Sequence, residues 1–418
     1  MRRSIVATYR SAYSGLPRDL WLLSLVMLVN RAGTMVLPFI TLYLTQERGL
    51  SVAVAGRIMG VFGLGSIVGS YLGGWLSDRL GAERTQQLSL IGSGIGFLWL
   101  STLHKLMPIT IAVFLLSTVS EAYRPAVMAS FARRAPAELQ TRAFALLRLA
   151  ANLGWGVGPA VGGVLALHSY TLLFVVDAAT CWSAALLLWL VLPGEKRKPV
   201  ARDVRARSNS PWSDVPFLWL LLFVAALALS FFQVFSTMPV YFRTAYGLRE
   251  SSIGMLMALN AVLIVAFEMV LIQWIENRER LPLIGLGAVL VCGGLALMPF
   301  GSSFAFAALT VVVWTVGEMI ALPLLNAVVG NRAAPESSGR YMGMYTMAYS
   351  VAFMIAPVAG TVVYERFGPD RLWFVIGVLA VPLFLGALAL RGALAGSSNR
   401  AAPNVRQPSD FTSASRDE

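Results

Sequence analysis

GWGVGPAVGG, residues 154–163, sets five glycines and one proline in ten positions between the apolar, helix-favouring stretches FALLRLAAN and VLALH. In water this composition would read as a loop, because glycine costs a helix interior about 1 kcal/mol and proline about 3 kcal/mol. The stretch nevertheless lies inside an apolar run, 143–167, long enough to cross a bilayer. Lipid offers a bare backbone no hydrogen bonds, so the run must stay helical, with proline supplying a bend. Gly154, Gly158 and Gly162 then fall on one face at four-residue spacing, where they let another helix approach closely.

The rest of the chain has the same character. Of 418 residues, 57% are hydrophobic and only 13% are charged, where a soluble chain carries about a quarter charged residues. Continuous apolar blocks recur, such as LWLLLFVAALALSFFQVF at 218–235 and FAFAALTVVVWTVG at 304–317. Their continuity argues against the alternating pattern of a membrane β-barrel. The expected fold is an all-α membrane protein with twelve transmembrane helices in two pseudo-symmetric six-helix bundles. The spans are expected near 20–44, 54–79, 86–103, 108–131, 143–167, 170–192, 216–242, 252–275, 281–300, 303–329, 341–364 and 371–393.

Residues 1–192 are expected to form the first bundle, 193–215 a cytoplasmic linker, 216–393 the second bundle and 394–418 a disordered cytoplasmic tail. Lys and Arg concentrate in the termini, the linker and alternate loops, which places both termini in the cytoplasm. The net charge of +12 follows this positive-inside pattern, and no nucleic-acid partner is expected. The start, MRRSIVATYRSAYSGLPRD, carries no cleavable signal pattern, so the first span is expected to initiate insertion. Cys181 and Cys292 lie in apolar spans, and His104 and His168 are isolated, so no disulfide framework or metal site is expected. Neither a Walker-type phosphate loop nor an H-E-x-x-H motif is present, which argues against ATP drive and against an enzyme.

The two halves repeat one another. Glu121, Pro125, APAELQTR (135–142) and GPAVGG (158–163) recur as Glu318, Pro323, APESSGR (334–340) and APVAG (356–360). Such a parallel repeat is a transporter plan.

Three features carry a resemblance to the major facilitator superfamily over nearly the whole chain. GGWLSDRLGAERT (73–85) resembles its G-x-L-[AS]-D-R-x-G-[RK]-[RK] signature through Gly74, Leu76, Ser77, Asp78, Arg79 and Gly81, with Ala82 and Glu83 replacing the two basic residues. The resemblance implies a conformational latch at Gly74, Asp78, Arg79 and Gly81. The opening stretch is similar to the fifth-span motif of the twelve-span drug:proton antiporters through Gly154, Gly158, Pro159, Gly162 and Gly163, which implies a seal in that span. Residues 316–345 resemble the tenth-to-eleventh-span region of many bacterial members and, faintly, that of proton-coupled peptide transporters. The E-x-x-E-R pattern of those importers is missing from the first span.

A charge at the bilayer centre costs about 2.5–3.5 kcal/mol on insertion scales, so each one needs a reason. Spans one, four, seven and ten line the central cavity in the superfamily, and Arg31, Glu121, Arg124 and Glu318 fall on them. Glu121 and Glu318 are the proton-coupling candidates, and Arg31 and Arg124 the cavity charge partners. Glu121 and Arg124, three apart, can pair directly, as a coupling or a permanent structural pair; Arg31 can pair with Glu121 or bind an anionic group. Arg148 is expected to serve the contact between spans four and five, and Asp177 and Glu268 to hydrogen-bond locally. Phe235 and Met238 in span seven and Tyr345 and Tyr349 in span eleven are the candidate substrate contacts.

The function expected is proton-coupled efflux of small amphiphilic compounds from a bacterial cytoplasmic membrane, by a monomer using the proton gradient and no cofactor. Its partners are a small-molecule substrate, protons and the lipid bilayer. The alternatives are a proton-coupled importer or narrow-specificity exporter of a peptide, sugar or siderophore, or a transport-dead receptor.

Overall fold

Three of the apolar runs break in two, and a proline marks each break. The chain is seen in a computed structural model that describes residues 15–136, 139–191, 211–275, 278–332 and 338–398. The first run forms α1 (Arg18–Ala32) and α2 (Val36–Leu42), the latter continuing into a wide turn at Tyr43–Glu47. Next come α3 (Val52–Leu80) and α4 (Ala82–Ser101), then a second broken run, α5 (Leu106–Glu121) and α6 (Tyr123–Arg134). After α7 (Gln140–Ala166) and α8 (Tyr170–Val191), the third broken run gives α9 (Val215–Phe231), a tight turn at Phe232–Phe235 and α10 (Thr237–Thr244). The chain ends with α11 (Glu250–Ile275), α12 (Arg280–Ala296), α13 (Phe304–Arg332), α14 (Ser338–Phe367) and α15 (Pro369–Ser398).

Pro38, Pro125 and Pro239 each occupy the third position of the restarted helix, within the first turn, where a missing backbone N–H breaks no ladder. Pro159, Pro323, Pro357 and Pro382 instead lie inside continuous helices. The glycine-proline stretch at 154–163 is therefore helical throughout.

Among the described residues, eleven helical runs are long and apolar enough to cross a membrane. The expected span at 86–103 corresponds to α4, which is not one of them. Its first turns read AERTQQ, and Glu83, Thr85, Gln86, Ser89 and Ser93 are buried, which lowers its mean hydropathy, while Leu88, Ile91, Ile95 and Trp99 are exposed on its other side. The linker residues 192–210 and the tail from 399 lie outside the described residues. Helix α15 runs to Ser398, so the first five residues of the expected tail, 394–398, are helical.

The break between α1 and α2 is held by a buried carboxylate. Asp177 of α8, 1% exposed, accepts the backbone N–H groups of Met35 and Val36, each at 3.0 Å. Gly33 at the break cannot carry a side chain, since its Cβ would sit 1.7 Å from the Thr180 hydroxyl. Hydrogen bonds to a charged group contribute about 1.5–3 kcal/mol each. Asp177→Ala is expected to lower the thermal midpoint of the purified protein by several degrees, and an unchanged midpoint would show that α2 is held by packing alone.

The stripe Gly154, Gly158 and Gly162 packs on α1 and the break after it. Added Cβ atoms would come within 2.4 Å of Arg31, 2.9 Å of the Thr34 carbonyl and 2.9 Å of Met35. Gly163 and Pro159 face the other way, onto α11. A Cβ on Gly163 would meet the Glu250 carbonyl at 2.4 Å, and one on Gly254 the Pro159 carbonyl at 2.2 Å. The one motif thus joins α7 to two neighbours, one early and one late in the chain.

Helices α3 and α14 meet in the same manner, with Gly56, Gly60 and Gly63 set against Thr361, Val358 and Met354. These contacts crowd toward the face carrying the 48–51 loop. There Glu365 accepts the Ala53 N–H at 2.6 Å, and the Tyr170 hydroxyl donates to Glu250 at 3.2 Å. Toward the opposite face, which carries the turn at Gly81, Gly74, Gly330 and Gly343 meet nothing within 4 Å. The early and late segments are closed on each other at the 48–51 face, and no such close glycine contact is made at Gly74, Gly330 or Gly343.

Candidate functional site

Glu318 sits midway along α13. Asn260, on α11, donates through Nδ2 to Glu318 Oε2 at 2.9 Å and to Thr315 Oγ1 at 3.0 Å. Two turns further along α11, Glu268 is ion-paired with Arg148 of α7, and its side chain is only 11% exposed. Arg148 therefore does not serve the contact between the fourth and fifth spans. It crosses to the eighth, because α7 packs along α11 through Gly156, Pro159 and Gly163. The sequence signal for this partnership was two unmatched charges of opposite sign in apolar runs, which spacing along the chain cannot pair.

Among the described residues, no ion pair joins Glu121 to Arg124 or to Arg31. The three-residue spacing would align Glu121 and Arg124 on one unbroken helix, but α5 ends at Glu121 and α6 begins at Tyr123. Arg124 is exposed, whereas Glu121 and Arg31 line a shared cavity of about 80 Å³ with Asn30, Tyr123, Asp177 and Cys181. The Tyr123 hydroxyl is buried there without a hydrogen-bond partner.

One turn before Glu318 on α13, Trp314 packs at 6.2 Å on Phe231, part of a patch of aromatic rings drawn from several helices. Phe235 lies 5.4 Å from Trp155 and 5.8 Å from Phe231, while Phe232 contacts Tyr349 at 6.2 Å and Phe353 at 4.9 Å. Tyr345 stacks edge-on with Tyr349 at 5.1 Å, their hydroxyls 3.3 Å apart. Phe235, Tyr345 and Tyr349 thus belong to one surface. Met238 does not join it in this state, being fully buried within α10. Trp155 and Phe232 were missed as site candidates because only the folded chain brings spans five, seven and eleven together.

At the Gly81 face, each segment carries a clasp. Arg134, at the end of α6, pairs with Asp19 of α1 at 2.7 Å and with Glu83 of α4 at 3.3 Å. Glu83, one of the two departures from the basic signature, is buried and also accepts from the Ser130 hydroxyl at 3.2 Å. A second basic residue there would face Arg134, so the departure is a local charge match. Arg332, 198 positions after Arg134, as Pro323 is after Pro125, binds Asp214 in bidentate fashion at 2.6 and 2.7 Å. Asp214 also caps α9 through the Phe217 N–H and accepts from Tyr341 at 3.0 Å. Within the signature itself, Gly81 holds a φ of +92° at the end of α3, Gly74 faces open space, Asp78 is exposed and the Arg79 guanidinium lies 4.2 Å over the Trp75 ring.

Burial opposes charge on Asp214, but the Arg332 guanidinium, with help from Tyr341 and the Phe217 N–H, holds its carboxyl below the usual 3.8. A lowered folded-state value stabilises the protein above the unfolded value, and this contribution is lost as pH falls through the folded one. Acid titration is therefore expected to loosen the clasp only below about pH 4. In Asp214→Asn the thermal midpoint should be lower at neutral pH and should converge on that of the unsubstituted protein in acid; curves that stay parallel would contradict this.

Among the described residues, no group of three or more His, Cys, Asp or Glu side chains is arranged to hold a metal ion. Apolar helices in this number, with charges and aromatic rings gathered between the early and late segments, define a multi-pass integral membrane protein. Residues 20–357 match the Major Facilitator Superfamily, and the chain belongs to that family. It is a transporter, not an enzyme.

Among its relatives, the uncharacterized MFS-type transporter YqjV of Bacillus subtilis is 23% identical, across 88% of this chain and 91% of that protein. A Na(+), Li(+), K(+)/H(+) antiporter of Planococcus maritimus is 22% identical across 84% and 91%. The multidrug resistance protein MdtH of Escherichia coli O1:K1 is 22% identical across 86% and 90%. The crystal structure of a POT family transporter in complex with 5-aminolevulinic acid superposes with a TM-score of 0.77 at 16% identity, covering 91% of this chain and 98% of that one.

Proposed function

We propose that this transporter is a proton-coupled exporter of small amphiphilic compounds, working by alternating access between two six-helix bundles. In this reading α4 completes a set of twelve spans, residues 1–192 and 216–393 form the bundles, and the 193–215 linker and both termini lie in the cytoplasm. The Gly81 face is then the cytoplasmic one, and the protein stands open to the inside of a bacterial cytoplasmic membrane. The observation that carries the proposal is Glu318, a carboxylate inside the membrane-spanning region, hydrogen-bonded to Asn260 and one turn from the Trp314 ring that packs on the aromatic patch.

A carboxylate in that setting can exchange its charge for a proton when the cavity changes its access to water. Aromatic rings around it suit flat, greasy cations, which such a charge would attract. The multidrug resistance name of one relative and the proton-exchanging name of another agree with this assignment. The proton gradient is the energy source and no cofactor is required. Cells expressing the protein are expected to exclude ethidium and to lose this exclusion when a protonophore is added. Faster ethidium accumulation than in control cells would reverse the direction and favour an importer.

A further inference from the structure

Helices α9 and α15 are both long and apolar enough to span the membrane, and a groove of about 540 Å³ lies between them. Pockets that take drug-sized molecules occupy about 300–1,000 Å³. The hollow has a cause in the sequence. Ala226 of α9 and Gly386 and Ala389 of α15 are small where they line it, beside the buried side chains of Phe223, Leu383 and Leu390. A Cβ on Gly386 would only reach van der Waals contact with the Phe223 ring, at 3.9 Å. Trp219 and Leu222 also line the groove and are exposed, so it opens sideways toward lipid. No lining side chain carries a charge. An apolar hollow stays dry, so the surrounding lipid is what can fill it.

We propose that this groove seats one acyl chain of an anionic phospholipid, whose headgroup is held by arginines where α15 ends and α12 begins. Along α15 the groove runs from Leu379 to Leu390, about 16 Å at 1.5 Å per residue. That is the depth of one leaflet, half of a hydrocarbon core about 30 Å thick. Arg391 follows Leu390 directly and pairs with Glu279 at 2.7 Å, both side chains being exposed. Arg278 and Arg280 flank Glu279 and are exposed as well. Among the described residues of this corner, three guanidinium groups therefore stand against one carboxylate, an excess of positive charge that a phosphate can answer. Basic residues at the mouth of a pocket between spanning helices are a pattern that binds acidic headgroups. Trp219, one turn into α9, lies at the level where indoles favour the headgroup boundary. The site involves no proton transfer, so it stands or falls apart from the transport reading.

Photo-cross-linking of the full chain in nanodiscs of phosphatidylcholine tests this. The probes are phosphatidylglycerol and phosphatidylcholine bearing the same diazirine-labelled acyl chain, with labelled peptides read by mass spectrometry. Phosphatidylglycerol is expected to label 219–226 and 379–390 several-fold more than the exposed surface of α8 around Leu186, and several-fold more than phosphatidylcholine does. Gly386→Trp, which fills the hollow, should bring this labelling down to the α8 level. Arg391→Gln should lower the preference for phosphatidylglycerol about fivefold, the effect of one basic residue beside an anionic surface. Melting curves establish that each variant is folded, and Ala389→Phe replaces Gly386→Trp should the latter not fold. Labelling no stronger in the groove than on α8 would show ordinary contact with bulk lipid and overturn the site. Equal labelling by the two probes would overturn the anionic headgroup, and undiminished labelling in the filled variant would place the lipid elsewhere. A groove left unlabelled while the protein runs as a dimer would assign it to a second copy and overturn the proposal.

Discussion

Glu318→Gln is expected to reduce ethidium transport driven by a pH gradient in proteoliposomes to the level of empty vesicles. Downhill ethidium exchange without a gradient should continue. Glutamine preserves the shape of the site and an oxygen for the Asn260 amide, so the local hydrogen bond survives. What disappears is the ability to alternate between a charged and a neutral form, on which coupling depends. A protein that loses exchange as well as gradient drive would point to a structural role for Glu318. Full gradient-driven transport in the variant would remove it from the coupling mechanism altogether.

The second large effect belongs to the glycines that let the early and late segments touch. A side chain on Gly254 meets the Pro159 carbonyl at 2.2 Å, and this neighbour is backbone that cannot turn aside. Overpacking typically costs about 1–3 kcal/mol, and a leucine in such a position asks for more room than one methyl group. Gly254→Leu is therefore expected to abolish transport by holding the 48–51 face apart. Cysteines replacing Ala53 and Glu365, whose backbone and side chain meet in the closed face, should cross-link readily in the otherwise unsubstituted protein and poorly with Gly254→Leu added. Gly293→Ala, at a position with nothing within 4 Å, serves as the control and should change neither. Equal cross-linking in all three proteins would show that the α7–α11 contact does not govern closure.

Much of the fold was legible in the sequence because lipid imposes a single requirement, that every spanning backbone be satisfied within its own helix. The apolar runs and the helical reading of 154–163 follow from that requirement. Hydropathy describes α4 least well. Its polar first turns are buried against α5, α6 and α8, so its environment depends on neighbours that a window of sequence does not contain. Helix breaks were also only partly visible. Of the seven prolines named above, only Pro38, Pro125 and Pro239 open a restarted helix, and the other four lie inside continuous ones.

The charges divide along a similar line. Local spacing suggested Glu121 with Arg124, and the break at Ala122 undoes that register. The partnerships that do form, Arg148 with Glu268 and Arg134 with Asp19 and Glu83, span 51 to 120 positions and depend on which helices become neighbours. Glu83 was noticed as a departure from a basic signature, and its meaning required Arg134. The aromatic patch is intermediate. Phe235, Tyr345 and Tyr349 were selected by residue type and prove to be mutual neighbours through Phe232, whereas Met238 shares their chemistry but faces packed protein.

The central claim, that a proton gradient drives an amphiphilic compound through this protein, is tested most directly in proteoliposomes with an imposed pH gradient and ethidium as the probe. The account predicts ethidium accumulation on the acidic side beyond that of empty vesicles, with a matching loss of the pH gradient and abolition of both by a protonophore. Ethidium movement at the same rate with and without the gradient, and with no accompanying change in internal pH, would contradict it.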